Sequence, residues 1–135
     1  MFISETKIRV RYGETDKMGY VYYGNYPLYY EVARAEMLRT LNWSYRKMEE
    51  EGVILPVASL NIKYIKPAFY DDELTVRTTL KEFPGVKICF YHEVFNEKNE
   101  LINIGEVTLV FVNFETMRPM SSPAKLNDEL KKFFD

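Results

Sequence analysis

Four stretches of alternating polar and apolar residues follow one another along the second half of the chain. They predict strands at residues 59–64, 73–81, 86–95 and 101–113. The links between them are short, and short links favour antiparallel neighbours within one sheet. An earlier alternation of Ile8, Val10 and Tyr12 with basic residues predicts a first strand. The pattern therefore indicates a curled antiparallel sheet of about five strands.

One long helix is predicted between the first strand and the others, over residues 25–42. Asn25 is a favourable N-cap, and Pro27 falls in the first turn, where its missing amide is tolerated. An apolar stripe follows the helical period: Tyr26, Tyr30, Ala33, Met37 and Leu41. Further apolar residues broaden this face, so we expect the helix to be covered on most sides. Shorter helices are predicted at residues 44–51 and 127–135.

A long helix against an antiparallel sheet gives an α+β domain of two layers. We expect it to span residues 1–135, because no linker or repeat divides the chain. One helix cannot cover both faces of five strands, so apolar rows and open sheet edges are left over. A homo-oligomer is therefore predicted, either a dimer or a dimer of dimers (a homotetramer), with sheet edges pairing at the interface.

Charge and cysteine content argue against several classes of protein. The net charge of −2 gives no reason to expect nucleic acid or an anionic membrane as a partner. Cys89 is the only cysteine, which excludes an intrachain disulfide and fits a reducing compartment. The first residues resemble neither a signal peptide nor a membrane span, so we expect a cytoplasmic location. Because His92 is the only histidine, no metal site is expected.

The segment between the first strand and the long helix has the composition of a ligand-binding turn. It runs Tyr-Gly-Glu-Thr-Asp-Lys-Met-Gly-Tyr-Val-Tyr-Tyr-Gly-Asn-Tyr from Tyr12 to Tyr26. Its glycines allow the backbone to approach a ligand closely. Asp16 lies within it, and the following helix start presents unpaired amides to an electron-rich oxygen. A carboxylate beside such amides is suited to water-driven attack on an acyl group.

This segment resembles the first motif of the hotdog-fold acyl-CoA thioesterases of the 4-hydroxybenzoyl-CoA thioesterase type. The matching residues are Tyr12, Thr15, Asp16, Gly19, Val21, Tyr22 and Tyr26. The later run from Tyr64 to Leu74 is similar to that family's second-strand ending and turn. The resemblance implies a hotdog fold, in which the sheet wraps around the long helix. It also implies hydrolysis of an acyl-CoA at sites between subunits, with no metal or redox cofactor.

The resemblance assigns roles to three residues. The family's catalytic carboxylate corresponds to Asp16, which would act as general base or as nucleophile. Its carbonyl-polarising amide corresponds to that of Tyr23 or Gly24, with the helix dipole behind it. Bacterial relatives often carry a histidine at the position of Tyr23, and a tyrosine cannot replace an imidazole base at neutral pH.

Five further residues are predicted to bind substrate. Tyr22 and Tyr26 would shape the acyl pocket, although packing in the core is the commoner use of such rings. Ser59 and Asn61 share the polar face of their strand and would reach a neighbouring active site, unless that face is simply solvated. Lys87 would contact the CoA phosphates, although charges on surface strands are common.

The sequence is compatible with two other functions. A hotdog hydratase or dehydratase would act on a β-hydroxyacyl thioester, chemistry that usually needs a histidine paired with an acid. His92 is expected in the core or an interface, on the opposite face of its strand from Cys89. A non-catalytic module would keep the fold and bind an acyl thioester or a protein. An acyl-carrier-protein thioester is an alternative substrate to acyl-CoA, and the sequence does not specify the acyl group.

Overall fold

A computed structural model describes residues 1–135 and shows a five-stranded antiparallel sheet with one long helix against it. The elements in chain order are β1 (Phe2–Arg9), α1 (Tyr26–Arg39), α2 (Tyr45–Glu50), β2 (Val53–Ile54), β3 (Val57–Tyr64), β4 (Glu73–Leu80), β5 (Lys87–Phe95), β6 (Leu101–Val110), β7 (Val112–Asn113), β8 (Arg118–Pro119) and α3 (Ala124–Leu130). Short 3₁₀ turns lie at Tyr12–Glu14, Tyr23–Asn25 and Lys131–Phe133. The large sheet has the order β1-β4-β5-β6-β3, and β2, β7 and β8 form a second small sheet.

The core lies between α1 and one face of the large sheet. All five residues of the predicted apolar stripe on the helix are buried: Tyr26, Tyr30, Ala33, Met37 and Leu41. Alternate residues of β5 meet them, because strand side chains point to opposite faces in turn. Ile88, Phe90, His92 and Val94 are buried, whereas Cys89 between them is exposed. The predicted two-layer α+β arrangement is therefore present.

The first strand ends earlier than the alternation predicts. β1 pairs with β4 from Phe2 to Arg9, whereas Tyr12 lies in a 3₁₀ turn and is 77% exposed. The amide of Arg11 donates to Oε1 of Glu14 at 2.7 Å. The amide of Arg11 is therefore not available to donate to a carbonyl of a neighbouring strand, and the chain leaves the sheet before Tyr12.

The last predicted strand, residues 101–113, is divided between the two sheets. β6 ends at Val110, and the next amide, that of Phe111, donates to the carbonyl of Val86 at 3.0 Å. β7 then pairs with β2 and β8 instead of the large sheet. Phe111 and Val112 stay buried through this bend. The apolar pattern therefore continues across the change of sheet, and the sequence does not reveal it.

The helices differ from their predicted limits by a few residues. α1 ends at Arg39 instead of residue 42, and α3 begins at Ala124 instead of residue 127. α2 is confirmed, since the hydroxyl of Ser44 caps it by accepting from the amide of Lys47 at 3.1 Å. No helix in the structure is both long enough and apolar enough to cross a membrane.

β3 forms an open edge of the large sheet. One side of the strand pairs with β6, and no strand pairs with the other side. Val57 and Leu60 on this strand are 53% and 43% exposed. The opposite edge, β1, carries alternating charges that include Lys7 and Arg9, and charged edges resist pairing. β3 is therefore the edge suited to join another chain.

Candidate active site

Asp16 lies in a small turn between β1 and α1. A bridge between Thr15 and Val21 closes the turn. The amide of Asp16 donates to the carbonyl of Tyr20, and the amide of Gly19 donates to the carbonyl of Asp16, both at 3.0 Å. Gly19 has φ +85°, a left-handed conformation that glycine adopts without steric cost. The backbone on both sides of Asp16 is therefore fixed.

The carboxylate of Asp16 keeps one oxygen available. The side chain is half-buried, and its Oδ1 accepts a hydrogen bond of 2.9 Å from the amide of Met18. Oδ2 has no hydrogen-bond partner within the chain. Such an oxygen can take a proton from water or attack a carbonyl carbon.

Two backbone amides at the start of α1 are also free. The amides of Val21, Tyr22 and Asn25 all donate to backbone carbonyls, but no turn or loop hydrogen bond comes from the amide of Tyr23 or Gly24. Both residues belong to the 3₁₀ turn that leads into α1. Their N–H groups therefore lie at the positive end of the helix dipole, where they can stabilise a negatively charged oxygen.

Asp16 and Tyr23 line the same cleft, which has a volume of about 390 Å³. Its walls are mostly apolar, with Tyr26 from α1 and Tyr64 and Ile65 from the end of β3 among them. The structure therefore brings together the predicted carboxylate, a predicted carbonyl-polarising residue and Tyr26. Tyr64 was not predicted to line the site, although its position on the inward face of β3 is a signal for it.

Three tyrosines connect the cleft to the core. The hydroxyl of Tyr64 donates to the carbonyl of Tyr23 at 3.0 Å, and the rings of Tyr26 and Tyr64 lie edge to face with centroids 5.6 Å apart. Burial, and then the nearby Tyr64 hydroxyl, raises the pKa of Tyr26 to about 12. Burial also raises the pKa of Tyr64. Both phenols therefore stay neutral and able to donate at physiological pH.

Tyr22 lies beside the cleft and is 45% exposed. Its ring centroid is 4.7 Å from that of Tyr23, and its pKa is raised, first by hydrogen bonding with the side chain of Tyr23. A Cβ added at Gly24 would lie 2.7 Å from Cε2 of Tyr22. Gly24 therefore permits this close approach, while substrate binding by Tyr22 stays a prediction.

Asn25 does not cap α1 with its side chain, contrary to the prediction. Its Nδ2 donates instead to the carbonyl of Glu14 at 2.8 Å, and the same carbonyl accepts from the amide of Tyr22 at 2.9 Å. The carboxylate of Glu14 accepts from the hydroxyl of Tyr29 at 3.0 Å. Glu14, which was not among the predicted site residues, therefore ties the Asp16 turn to the start of α1.

Three of the predicted substrate-binding residues lie on the outer face of the sheet, away from α1. Ser59 and Asn61 occupy this face of β3, and Lys87 occupies it on β5, next to the inward-facing Ile88. None of the three lines the cleft of Asp16 in the same chain. Their predicted contact with substrate needs a neighbouring subunit and stays a prediction.

His92 lies in the core, away from the Asp16 cleft. Its Nδ1 shares a hydrogen bond of 2.9 Å with the hydroxyl of Thr78, and its ring stacks on Tyr30 with centroids 4.7 Å apart. Burial, and then the charge of Arg34, lowers the pKa of His92 to about 3. No group of three or more histidine, cysteine or acidic side chains is arranged to hold a metal ion.

Comparison with known proteins gives consistent matches along nearly the whole chain. Residues 10–134 match the family described as the thioesterase-like superfamily. YneP of Bacillus subtilis is 35% identical over 120 residues, which are 89% of this chain and 87% of that protein. The acyl-CoA thioester hydrolase YbgC of Escherichia coli is 34% identical over 125 residues, which are 93% of each chain.

A solved structure agrees with these sequence matches. The DHNA-CoA thioesterase from Staphylococcus aureus superposes with a TM-score of 0.86 at 37% identity, over 99% of this chain and 85% of that one. The chain belongs to the thioesterase-like superfamily, and this membership confirms the predicted family, the predicted hotdog fold and the predicted class of enzyme, a thioester hydrolase.

Proposed function

We propose that the protein hydrolyses an acyl-CoA to a carboxylic acid and free CoA at the cleft beside Asp16. The observation that carries this proposal is the free Oδ2 of Asp16 in the cleft that Tyr23 also lines, where the amides of Tyr23 and of the following Gly24 are unused. The carboxylate can act as base or nucleophile, and the amides can stabilise the negative charge that develops on the thioester oxygen. The name of the YbgC relative, an acyl-CoA thioester hydrolase, supports the choice of substrate.

The reaction needs negative charge to build on the thioester oxygen. The amides of Tyr23 and Gly24, at the positive end of α1, would donate to that oxygen. Removal of one such donor typically costs on the order of 100- to 1000-fold in rate. The side chain of Tyr23 is not needed for this role, since the backbone amide remains after any substitution except proline.

Asp16 would act in one of two ways. As general base, it accepts a proton from water, whose oxygen bonds to the acyl carbon; the carbon–sulfur bond then breaks and the thiolate leaves. As nucleophile, Oδ2 itself displaces the thiolate, and water then hydrolyses the resulting anhydride. The aromatic wall that includes Tyr26 and Tyr64 would exclude water from the rest of the acyl group.

A thiol-release assay on a panel of acyl-CoA thioesters tests the proposal. Asp16→Asn keeps an oxygen for the amide of Met18, so we expect unchanged thermal stability and a loss of kcat of at least about 100-fold. Asp72→Asn is the matched control, because Asp72 also lies in a loop and accepts from a backbone amide, that of Phe69, at 2.9 Å. Full activity of Asp16→Asn contradicts the assigned role. Binding of acyl-CoA without turnover by the unmodified protein contradicts the proposed function.

The active form is proposed to be a homodimer joined through β3. An open, mostly uncharged edge strand with exposed Val57 and Leu60 supports this interface. Light scattering coupled to size-exclusion chromatography should report a dimer or a tetramer for the native chain. It should report a smaller species for Leu60→Lys. Ile3→Lys, on the other sheet edge and 50% exposed, should leave the mass unchanged. A monomeric native protein contradicts the interface.

A cytoplasmic location is proposed as well. Cys89 is a free and exposed cysteine, and a reducing compartment keeps such a thiol unpaired. Fractionation of cells that express the full chain should place it with cytoplasmic markers. Recovery in an oxidising compartment would contradict this location.

A further inference from the structure

Arg34 on α1 is a buried cation without an anionic partner. It is 6% exposed, and it takes part in none of the ion pairs of the chain. Its Nε donates to the hydroxyl of Tyr45 at 3.4 Å, and no other hydrogen bond uses its guanidinium. A buried positive charge is unfavourable unless an anion accompanies it. The native assembly or its substrate is therefore expected to supply one.

The guanidinium opens to a cavity of about 480 Å³ on the helix side of the sheet. The Nη atoms make no hydrogen bond, yet they are not sealed from solvent. Aliphatic side chains form half of the lining: Val32, Ala35, Leu55, Val57 and Leu109. Three glutamates also line the cavity: Glu36, which pairs with Arg39, and Glu31 and Glu49. All three are exposed to water. The only buried charge in the cavity is that of Arg34.

This cavity and the Asp16 cleft lie at opposite ends of β3. Val57, at the start of the strand, lines the Arg34 cavity, and Tyr64, at its end, lines the Asp16 cleft. At about 3.3 Å per residue, the two ends of the strand are roughly 23 Å apart within one chain. Along α1, Tyr26 of the Asp16 cleft and Arg34 lie eight residues apart, about 12 Å. A four- to six-carbon acyl group on a single chain therefore does not span both.

Pairing of β3 with a second copy changes this distance. A two-fold axis perpendicular to the sheet keeps both helices on one side and makes the two copies of β3 antiparallel. The start of β3 in one subunit then lies beside the end of β3 in its partner, at the strand spacing of about 4.8 Å. The Arg34 cavity of one subunit consequently adjoins the Asp16 cleft of the other.

We propose that the two cavities form one acyl pocket across the dimer, in which Arg34 binds a carboxylate at the far end of the acyl group. This inference rests on the proposed thioesterase function and on the β3 interface. The substrate class is a CoA monothioester of a dicarboxylic acid. Its free carboxylate forms a bidentate pair of hydrogen bonds with the guanidinium, and its methylene chain lies against the aliphatic side chains of the cavity. Arg34 is thus a residue that determines specificity.

Matched pairs of thioesters test this assignment: succinyl- with butyryl-CoA, glutaryl- with pentanoyl-CoA, and adipoyl- with hexanoyl-CoA. The measured quantity is the ratio of kcat/KM within each pair. We expect at least one pair to favour the carboxylate by about tenfold or more, the scale of one charge-assisted contact. Arg34→Met, which keeps an unbranched stem, and Arg34→Gln should both reduce that ratio to about one or below.

The outcomes separate this inference from the function on which it rests. Hydrolysis of both members of every pair at equal rates overturns the inference and leaves the thioesterase function in place. A preference that survives in both Arg34 variants also overturns it. Absence of hydrolysis for all six thioesters overturns this inference. It leaves the proposed function in place when aromatic or longer acyl-CoA thioesters are hydrolysed and overturns that function when none is.

A mixed dimer shows which subunit supplies Arg34. One chain carries Asp16→Asn and the other carries Arg34→Met, each with a different affinity tag. The two chains are expressed together and the mixed dimer is purified. Asp16 is then present only on the chain that lacks Arg34. Retention of the carboxylate preference is expected, since the partner subunit still provides Arg34. Loss of the preference in the mixed dimer contradicts a pocket shared between subunits.

Discussion

The hydroxyl of Tyr29 donates a 3.0 Å hydrogen bond to Oε1 of Glu14. This contact joins the first turns of α1 to a residue two positions before Asp16. Burial, and next the bond to Glu14, raises the pKa of Tyr29, so that its hydroxyl remains a donor. Glu14 is itself largely buried, with its side chain 16% exposed. The position of the Asp16 turn therefore depends on a side chain of the helix as well as on its own backbone.

Tyr29→Phe removes this donor and keeps the ring. We expect the free energy of unfolding to fall by about 1–3 kcal/mol, because the carboxylate of Glu14 loses a buried partner. We also expect kcat to fall more than KM rises, since the Asp16 turn is held less firmly. Urea denaturation and thiol-release kinetics measure the two effects. Tyr70→Phe is the control, because the hydroxyl of Tyr70 makes no hydrogen bond in the chain and the residue is 57% exposed. Equal behaviour of the two variants contradicts the role of Tyr29.

Gly24→Ala introduces a Cβ that would lie 2.7 Å from Cε2 of Tyr22. The Tyr22 ring is half exposed and can move outward, so we expect a change in unfolding free energy below about 1 kcal/mol. The displacement occurs beside the proposed carbonyl-polarising amides, and kcat/KM should fall by roughly 10- to 100-fold. Gly13→Ala, which meets nothing within 4 Å, should change neither quantity.

A double variant tests the cause of that loss. In a Tyr22→Ala background the ring is absent, and Gly24→Ala should then cost much less activity than it does alone. The double-mutant comparison isolates the contact between the two residues. If Gly24→Ala costs as much in both backgrounds, the ring of Tyr22 is not the reason for the glycine.

The principal strands and the long helix could be predicted because half-buried elements leave a periodic trace in the sequence. The alternation around Phe90 and His92 locates β5, and the stripe from Tyr26 to Leu41 locates α1. Asp16 and Tyr23 were predicted as site residues from the resemblance of their segment to a family motif. The structure places both on one cleft, and their roles stay predictions. The sequence pattern was sufficient for these elements because the residues that define each one lie close together in the chain.

The errors arise where a distant or local hydrogen bond overrides the apolar pattern. Asn25 would cap α1 by its residue type, but its amide group is engaged by the carbonyl of Glu14, 11 positions earlier. The first strand stops short of Tyr12 because Glu14 captures the amide of Arg11. The burial of Arg34 has no trace in its own residue type, which usually marks an exposed helix position. Such contacts become visible only when the chain is folded.

Gly105→Ala is expected to be far more damaging to stability than Gly24→Ala. A Cβ at this position would overlap Cε2 of Tyr30. Tyr30 cannot move aside, because it is fully buried, stacked on His92 and bonded through its hydroxyl to Asn103. Overpacking of a core typically costs about 1–3 kcal/mol and sometimes more.

Chemical denaturation measures this cost directly. Gly85→Ala is the matched control, since a Cβ there meets nothing within 4 Å, and its unfolding free energy should stay within about 0.5 kcal/mol of the native value. Native-like stability of Gly105→Ala contradicts the packing of Tyr30 against β6.

The stability of the protein should fall in mild acid because of His92. Burial lowers the pKa of His92 to about 3, whereas in the unfolded chain the ordinary value is about 6.5. Between these values the unfolded state binds a proton that the folded state does not, so stability decreases as the pH drops through about 6.5. The expected loss from this residue between pH 7 and pH 5 is about 2 kcal/mol.

His92→Asn, which can still share a hydrogen bond with Thr78, does not titrate in this range. The native chain should therefore lose about 2 kcal/mol more than His92→Asn over the same interval in denaturation curves. Parallel pH dependence of the two proteins contradicts a neutral, buried His92.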